Sequence, residues 1–288
     1  MEFPRVLVFG AGQMGAGIAQ VLAASGRRVF LHDPLPGATA RAFETMARSL
    51  EKLALKGGQD PAATLARIEA VDGFAAAELM IEAVVEDAEL KRAVFARADA
   101  ELGPEAVLAS NTSSIPIGSL AAATGRPGLV IGMHFFNPVP LLALVEVVLS
   151  DATSPETAAS IAELARELGK VPIEARDVPG FVSNRILMPY INEAVYALAG
   201  GVAPAEAIDT VARLGFGHPT GPLALADLIG LDTCASIMAV LEQGLGEARF
   251  APCPLLLEHV RAGRLGRKSG QGFYAYDELG RRLDPSQL

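Results

Sequence analysis

Cysteine is nearly missing from this sequence: Cys234 and Cys253 are the only two in 288 residues. They cannot build a disulfide framework and show no metal-ligand spacing, so a reducing cytoplasm is the expected compartment and no metal is expected. Positive charge is also short, with 24 Lys and Arg against 33 Asp and Glu and a formal net charge of −9. A nucleic-acid backbone needs a basic face, which argues against that partner, whereas a phosphorylated small molecule needs only a few local cations and stays open. No uninterrupted apolar run reaches the length that spans a bilayer, and the apolar stretch 6–9 is too short for a secretory signal, so no membrane is expected. Apolar residues are abundant at 51%, ample for a sizeable core, and the length exceeds one typical domain.

Residues 5–9, Arg5-Val6-Leu7-Val8-Phe9, have the pattern of a strand buried on both faces. Gly10-Ala11-Gly12-Gln13-Met14-Gly15 follows at once, and residues 16–24 continue at helical period. Strand, G-x-G-x-x-G and helix in that order form the dinucleotide fingerprint in its required context. Gly10 permits the tight turn, Gly12 lets the backbone approach a pyrophosphate, and Gly15 allows close helix packing. Gly10, Gly12, Gln13, Met14 and Gly15 are therefore candidate cofactor contacts, with the pyrophosphate at the helix N-terminus, where free N–H groups and the dipole favour an anion. A second strand, 28–32, ends at Asp33. An acid there accepts hydrogen bonds from the adenine ribose and repels a 2′-phosphate, so NAD is expected rather than NADP. A glycine turn that only packs helix on sheet is the plainer alternative.

The chemistry is expected at residues 132–146. The apolar run 129–133 reads as a buried strand with His134 at its end, and Asn137-Pro138 and Val139-Pro140 then force a turn. A second apolar strand, 141–149, contains one charged residue, Glu146. A buried carboxylate is costly unless paired, and a histidine returned to it by the turn is the natural partner. Such a pair holds Nδ1–H on the carboxylate and leaves Nε2 for general base work. A satisfied core histidine and an edge-strand glutamate are the plainer readings of the same residues.

Between these regions, 38–55 reads as a long helix and 62–70 as another helical piece. Ser49, Lys52 and Lys56 fall at i, i+3 and i+7, a small cationic face that either meets a phosphorylated ligand or is simply solvated. A strand over 79–85, a helix over 88–100 carrying Lys91, and a strand over 107–109 follow. The last ends in the polar cluster Ser110-Asn111-Thr112-Ser113-Ser114, at the carboxyl end of a strand, where open parallel sheets bind ligands. The same residue types also cap helices. After a helix over 155–168 and a strand over 171–173, Asp177-Val178-Pro179-Gly180 is the expected boundary. Beyond it come helices only, over 181–199, 204–214, 223–241 and 254–262. The expected architecture is α/β, an N-terminal Rossmann-type doubly wound, mostly parallel sheet over 1–178 followed by an all-α C-terminal domain over 179–288.

Taken together, the glycine loop with Ala16-Gly17, the Ser110–Ser114 cluster, His134-Phe135-Phe136-Asn137-Pro138 and Pro179-Gly180-Phe181-Val182-Ser183-Asn184-Arg185 resemble the 3-hydroxyacyl-CoA dehydrogenase family. Gly221-Pro222-Leu223, Ala226-Asp227, Gly230-Leu231-Asp232 and the closing Lys268-Ser269-Gly270-Gln271-Gly272-Phe273-Tyr274 extend the resemblance over nearly the whole chain. The resemblance implies that His134 takes the 3-hydroxyl proton, that Glu146 orients it, and that Ser113 and Asn184 hydrogen-bond the reacting oxygen. It places Glu86, Lys91, Ser113, Asn137 and Lys268 in the NAD site and Ser49 and Lys56 against coenzyme A. It also implies a short-chain acyl-CoA substrate, fatty acid metabolism and β-oxidation, and a homodimer formed through the helical domain. Leu142 and Ala143 depart from the pattern, because many relatives carry a lysine at 143 and some a basic residue at 142. Two rival readings stand beside this one: a dehydrogenase of a non-CoA hydroxy acid such as a sugar acid, and a non-catalytic NAD-binding protein on the same scaffold.

Overall fold

The computed structural model describes residues 1–283 and divides into two compact units, Met1–Phe181 and a second from Val182 onward. The first is built on one eight-stranded sheet in the order β3-β2-β1-β4-β5-β6-β7-β8. Its strands are β1 (Arg5–Phe9), β2 (Arg28–His32), β3 (Ile68–Ala70), β4 (Leu79–Glu82), β5 (Val107–Ser110), β6 (Val130–Phe135), β7 (Leu144–Leu149) and β8 (Val171–Arg176). Every pairing is parallel except β6 with β7. The order reverses between β1 and β4, the switch point at which ligands bind in doubly wound sheets. The central strands are apolar on both faces because helices cover both. One buried cluster runs from Val6 and Val8 through Ile18 of α1 (Gln13–Ala24) and Met46 of α2 (Ala38–Ala54) to Ile161 of α6 (Pro155–Glu167). The opposite face joins Leu7 and Met80 to Phe95 of α4 (Ala88–Glu101) and Ile117 of α5 (Ile117–Ala121).

Two local expectations for this unit need correction. Residues 62–70 are not one helical piece: α3 (Pro61–Leu65) stops, and Ile68–Ala70 pairs with Val29, Phe30 and Leu31 as an edge strand. A half-buried edge strand three residues long carries too little alternation to be told from a helix end. Lys56 does not continue the face of Ser49 and Lys52, since α2 ends at Ala54 and Lys56 stands in the turn closed by Gly57 at φ 85°.

The second unit contains α7 (Ser183–Ala199), α8 (Ala205–Thr210), α9 (Pro222–Ile229), α10 (Leu231–Leu245) and α11 (Pro254–Arg261) around a core that includes Met188, Ile191, Leu223, Cys234, Met238 and Leu256. The single helix expected over 223–241 is broken at Gly230, where α9 and α10 meet at 97°. Gly230 adopts φ 106°, a left-handed region open to glycine, so apolar periodicity continues on both sides of a corner it does not reveal. Two buried carboxylates tie the loops. Asp209 accepts from the N–H groups of Leu223 and Ala224 and from Tyr274 Oη, each at 2.8–2.9 Å. Asp227 accepts from Phe273 N, Tyr274 N and Tyr276 Oη at 2.9 Å, and burial pushes its pKa above the usual carboxylate range. Among the described residues, no single helix is long and apolar enough to cross a membrane.

Candidate active site

The antiparallel register sets His134 directly opposite Glu146. His134 Nδ1 lies 2.8 Å from Glu146 Oε2, with the imidazole 9% exposed and the carboxylate residue 1%. Ionised carboxylates only accept, so Nδ1 carries the proton, and in a neutral ring the lone pair is then on Nε2. The ring sits against Phe136 at 4.7 Å and Phe181 at 6.1 Å between centroids. The chain between the two strands turns at 138–142, where Leu141 N and Leu142 N both donate to Pro138 O. The second strand accordingly begins at Leu144 rather than at 141. Two features unforeseen in the sequence hold this turn. Lys170, 8% exposed, donates through Nζ to Val139 O at 2.5 Å and Leu142 O at 2.8 Å. Gly17 leaves room on α1 for Val139, whose Cβ would stand 2.8 Å from a Cβ added there. On the neighbouring strand Asn111 Oδ1 accepts from Phe135 N at 2.9 Å, fixing the exit of β6.

The polar cluster after β5 is gathered by Glu86 and does not cap a helix. Glu86 Oε1 accepts from Thr112 Oγ1 at 2.6 Å, Ser113 N at 2.9 Å, Ser114 N at 3.1 Å, Ser114 Oγ at 3.0 Å and Ser113 Oγ at 3.3 Å. Burial works to raise its pKa, but the Lys91 charge and these donors prevail and hold it below the ordinary value. The cap of α5 comes from Asp177, whose carboxylate accepts from Ile117 N at 2.9 Å and Gly118 N at 2.7 Å. A donor and acceptor sixty residues apart leave no local signature. Lys91 is fully buried, with Nζ 2.8 Å and 3.0 Å from the two Glu82 oxygens and 3.3 Å from Glu86 Oε2. Glu82 ends β4, three residues short of the strand expected over 79–85, and inside that longer run it gives no sign of a partner.

The glycine loop has the shape of a nucleotide cradle. Gly10 has φ 113°, and a Cβ there would lie 2.6 Å from Ala83 C and O. A Cβ on Gly15 would lie 1.8 Å from Gly10 O, while one on Gly12 would meet nothing within 4 Å. The first and third glycines are thus demanded by the fold, and the second faces open space. Among the described residues no side chain caps the N-terminus of α1, which leaves its N–H groups available to an anion. Asp33 accepts from Ala11 N at 2.8 Å and Leu35 N at 2.9 Å, which locks the β2 end onto the loop. Gly12, Gln13, Asp33, Leu35 and Arg41 border a cavity of about 450 Å³. These residues fit an adenosine with its pyrophosphate: an acid for the ribose, a bare glycine and a helix end for the phosphates. Met14 is half-buried behind the loop and Asn137 is exposed on the turn after β6.

Ser49 is half-buried near the end of α2 and Lys56 is exposed beyond it. Lys56, Gln59, Leu141, Ala143 and Lys170 help to line a second cavity of about 530 Å³. Asn184 and Lys268 belong to the other unit. Asn184 is 8% exposed in the first turn of α7, and Lys268 Nζ donates to Asp232 Oδ2 at 2.7 Å.

A doubly wound sheet with a glycine cradle, an acid at the end of β2 and a carboxylate-held histidine at the end of β6 defines an NAD-dependent dehydrogenase. The comparisons with known proteins narrow this. The model of the 3-hydroxyacyl-CoA dehydrogenase NAD-binding domain matches residues 5–178, and that of the family's C-terminal domain matches 180–276. The chain belongs to the 3-hydroxyacyl-CoA dehydrogenase family. It is 49% identical over 284 residues to a probable 3-hydroxybutyryl-CoA dehydrogenase of Bacillus subtilis, covering 96% of this chain and 99% of that one. A probable 3-hydroxybutyryl-CoA dehydrogenase of Deinococcus radiodurans is 53% identical over 274 residues, covering 93% and 99%. The crystal structure of (S)-3-hydroxybutyryl-CoA dehydrogenase from Ralstonia eutropha superposes with a TM-score of 0.93 at 44% identity, covering 96% and 100%.

Proposed function

We propose that this enzyme oxidises short-chain (S)-3-hydroxyacyl-CoA, 3-hydroxybutyryl-CoA foremost, to the 3-oxoacyl-CoA in a reversible step with His134 as the general base. The observation that carries the reading is the His134–Glu146 pair at 2.8 Å on the lip of the sheet. NAD, when bound, would supply the acceptor for the hydride from C3 of the substrate. His134 takes the hydroxyl proton at Nε2, and Glu146 stabilises the imidazolium through the hydrogen bond at Nδ1. In the reverse direction the same nitrogen returns the proton. Ser113 hydrogen-bonds the reacting oxygen. Gly10, Gly12, Gln13, Met14, Gly15 and Asp33 hold the adenosine half of NAD, with Glu86 and Asn137 toward the nicotinamide and Lys91 acting behind Glu86. The direct test is the loss of NADH absorbance on addition of acetoacetyl-CoA; no turnover across a panel of acyl lengths would remove the reading.

Coenzyme A is assigned to the side of Ser49 and Lys56. The 530 Å³ cavity beside Lys56 supports this, because its wall combines a cation with the apolar Leu141 and Ala143. With no lysine at 143, Lys56 carries more of the phosphate contact. Ser49→Ala and Lys56→Ala are therefore expected to raise KM for acetoacetyl-CoA several-fold with KM for NADH unchanged, in steady-state kinetics. Unchanged KM for the acyl-CoA would favour a non-CoA hydroxy acid as substrate.

The helical unit is proposed to pair two subunits of a cytoplasmic homodimer. Leu214 is 83% exposed, Phe216 62% and Val211 54%, apolar surface that a second copy would cover. Light scattering at micromolar concentration should give twice the chain mass of 30.0 kDa; a monomer would contradict it.

A further inference from the structure

We propose that Glu82 sets the charge of the nicotinamide end of the cofactor site, by engaging Lys91 so that Glu86 keeps a net negative charge toward the bound ring and favours NAD⁺ over NADH. The inference rests on the placement of Glu86 near the nicotinamide proposed above.

The geometry is a chain of three charges. Glu82 is fully buried and accepts four hydrogen bonds from three donor groups: Lys91 Nζ on both oxygens at 2.8 and 3.0 Å, Ser110 Oγ at 2.6 Å and Val84 N at 2.6 Å. These contacts, one donor group being a buried ammonium, satisfy both oxygens of the carboxylate. Lys91 Nζ stands 3.3 Å from Glu86 Oε2, farther than from either oxygen of Glu82. Two carboxylates therefore share one ammonium, and the set carries a net charge of −1. That excess lies toward Glu86, whose side chain is 36% exposed while Glu82 and Lys91 are sealed at 0%. Glu86 in turn gathers Ser113 and Ser114. β5, which delivers that loop, is the parallel neighbour of β6, which delivers His134. A ring that accepts hydride from a carbon whose hydroxyl faces His134 must lie on this side of the sheet.

The consequence follows from the ring's own charge. The nicotinamide is cationic in NAD⁺ and neutral in NADH, while the adenosine and phosphates are the same in both. A local charge of −1 thus acts on one form and leaves the other almost untouched. A structural brace alone would weaken or strengthen both alike. Glu82 is accordingly a positioning residue that acts through Lys91 and Glu86.

The test is the ratio of dissociation constants for NAD⁺ and NADH, measured by titration calorimetry on the full chain without acyl-CoA. Glu82→Gln brings the local charge to zero and should raise Kd(NAD⁺)/Kd(NADH) roughly three- to tenfold at low salt. The double substitution Glu82→Met with Lys91→Met removes one charge of each sign, leaves the sum at −1, and should hold the ratio within about twofold. Glu86→Gln serves as the control and should raise the ratio. A ratio unmoved by Glu82→Gln but raised by Glu86→Gln overturns the proposal and leaves the cofactor placement standing. A ratio unmoved by both overturns that placement, and the proposal with it. Should Glu82→Gln fail to fold, the double variant decides, and a shift in its ratio like that of Glu86→Gln overturns the proposal.

Discussion

His134→Gln is expected to lower kcat by about a thousandfold or more, with NAD affinity kept within about a factor of two. Glutamine is the informative replacement because Glu146 is 1% exposed and needs a donor. An alanine at 134 would take a hydrogen bond away from a buried carboxylate, and the resulting destabilisation would obscure the kinetics. The amide of glutamine offers an N–H to Glu146 yet has no basic nitrogen to take a hydroxyl proton. The NAD cradle lies at β1 and α1, outside the hairpin, so titration of cofactor should not register the change. Single-turnover kinetics with acetoacetyl-CoA and NADH, beside a binding titration, makes the comparison. Wild-type turnover in this variant would end the general-base assignment.

The second large effect is expected at Gly10, and its contrast with Gly12 gives it meaning. Gly10→Ala must place a side chain at φ 113° and set its Cβ 2.6 Å from the backbone of Ala83. Both the dihedral and the clash fall on main chain that cannot swing away, which should cost on the order of 3 kcal/mol and lower the melting temperature by roughly 10 °C. Gly12→Ala meets nothing within 4 Å, so its melting temperature should match that of the wild type. Its loss should appear in NAD affinity alone, as a pyrophosphate is held away from the N–H groups of α1. Calorimetric melting of both variants with and without NAD separates the two roles. Equal loss of stability in both would mean that the loop is merely a tight turn.

The pairing of His134 with Glu146 was legible before the fold because it is local. Two prolines return the chain, and a single charge in an apolar strand needs a partner on the strand beside it. The cofactor motif was legible for the same reason, since strand, glycines, helix and acid lie within 33 residues. What stayed hidden depends on distant segments. Glu82 gave no sign of its buried lysine, because α4, which carries Lys91, must be laid on the sheet before the two meet. Lys170 reads as solvent-facing at a helix end, yet it holds the carbonyls of the catalytic turn across 31 residues. Asp177 caps a helix whose own residues lack a cap. The corner at Gly230 failed in the opposite direction, as continuous apolar periodicity hid a break that one positive φ creates.

Sequence alone determined the class of this protein: short-range patterning and turn chemistry dictate the doubly wound sheet, the nucleotide loop and the histidine hairpin, since each is written in neighbouring residues. Only the tertiary structure decided which charges are shared. The partners of Lys91, Lys170 and Asp177 come from separate elements, and in a low-dielectric interior a polar group's state is set by whatever the fold brings within hydrogen-bond reach.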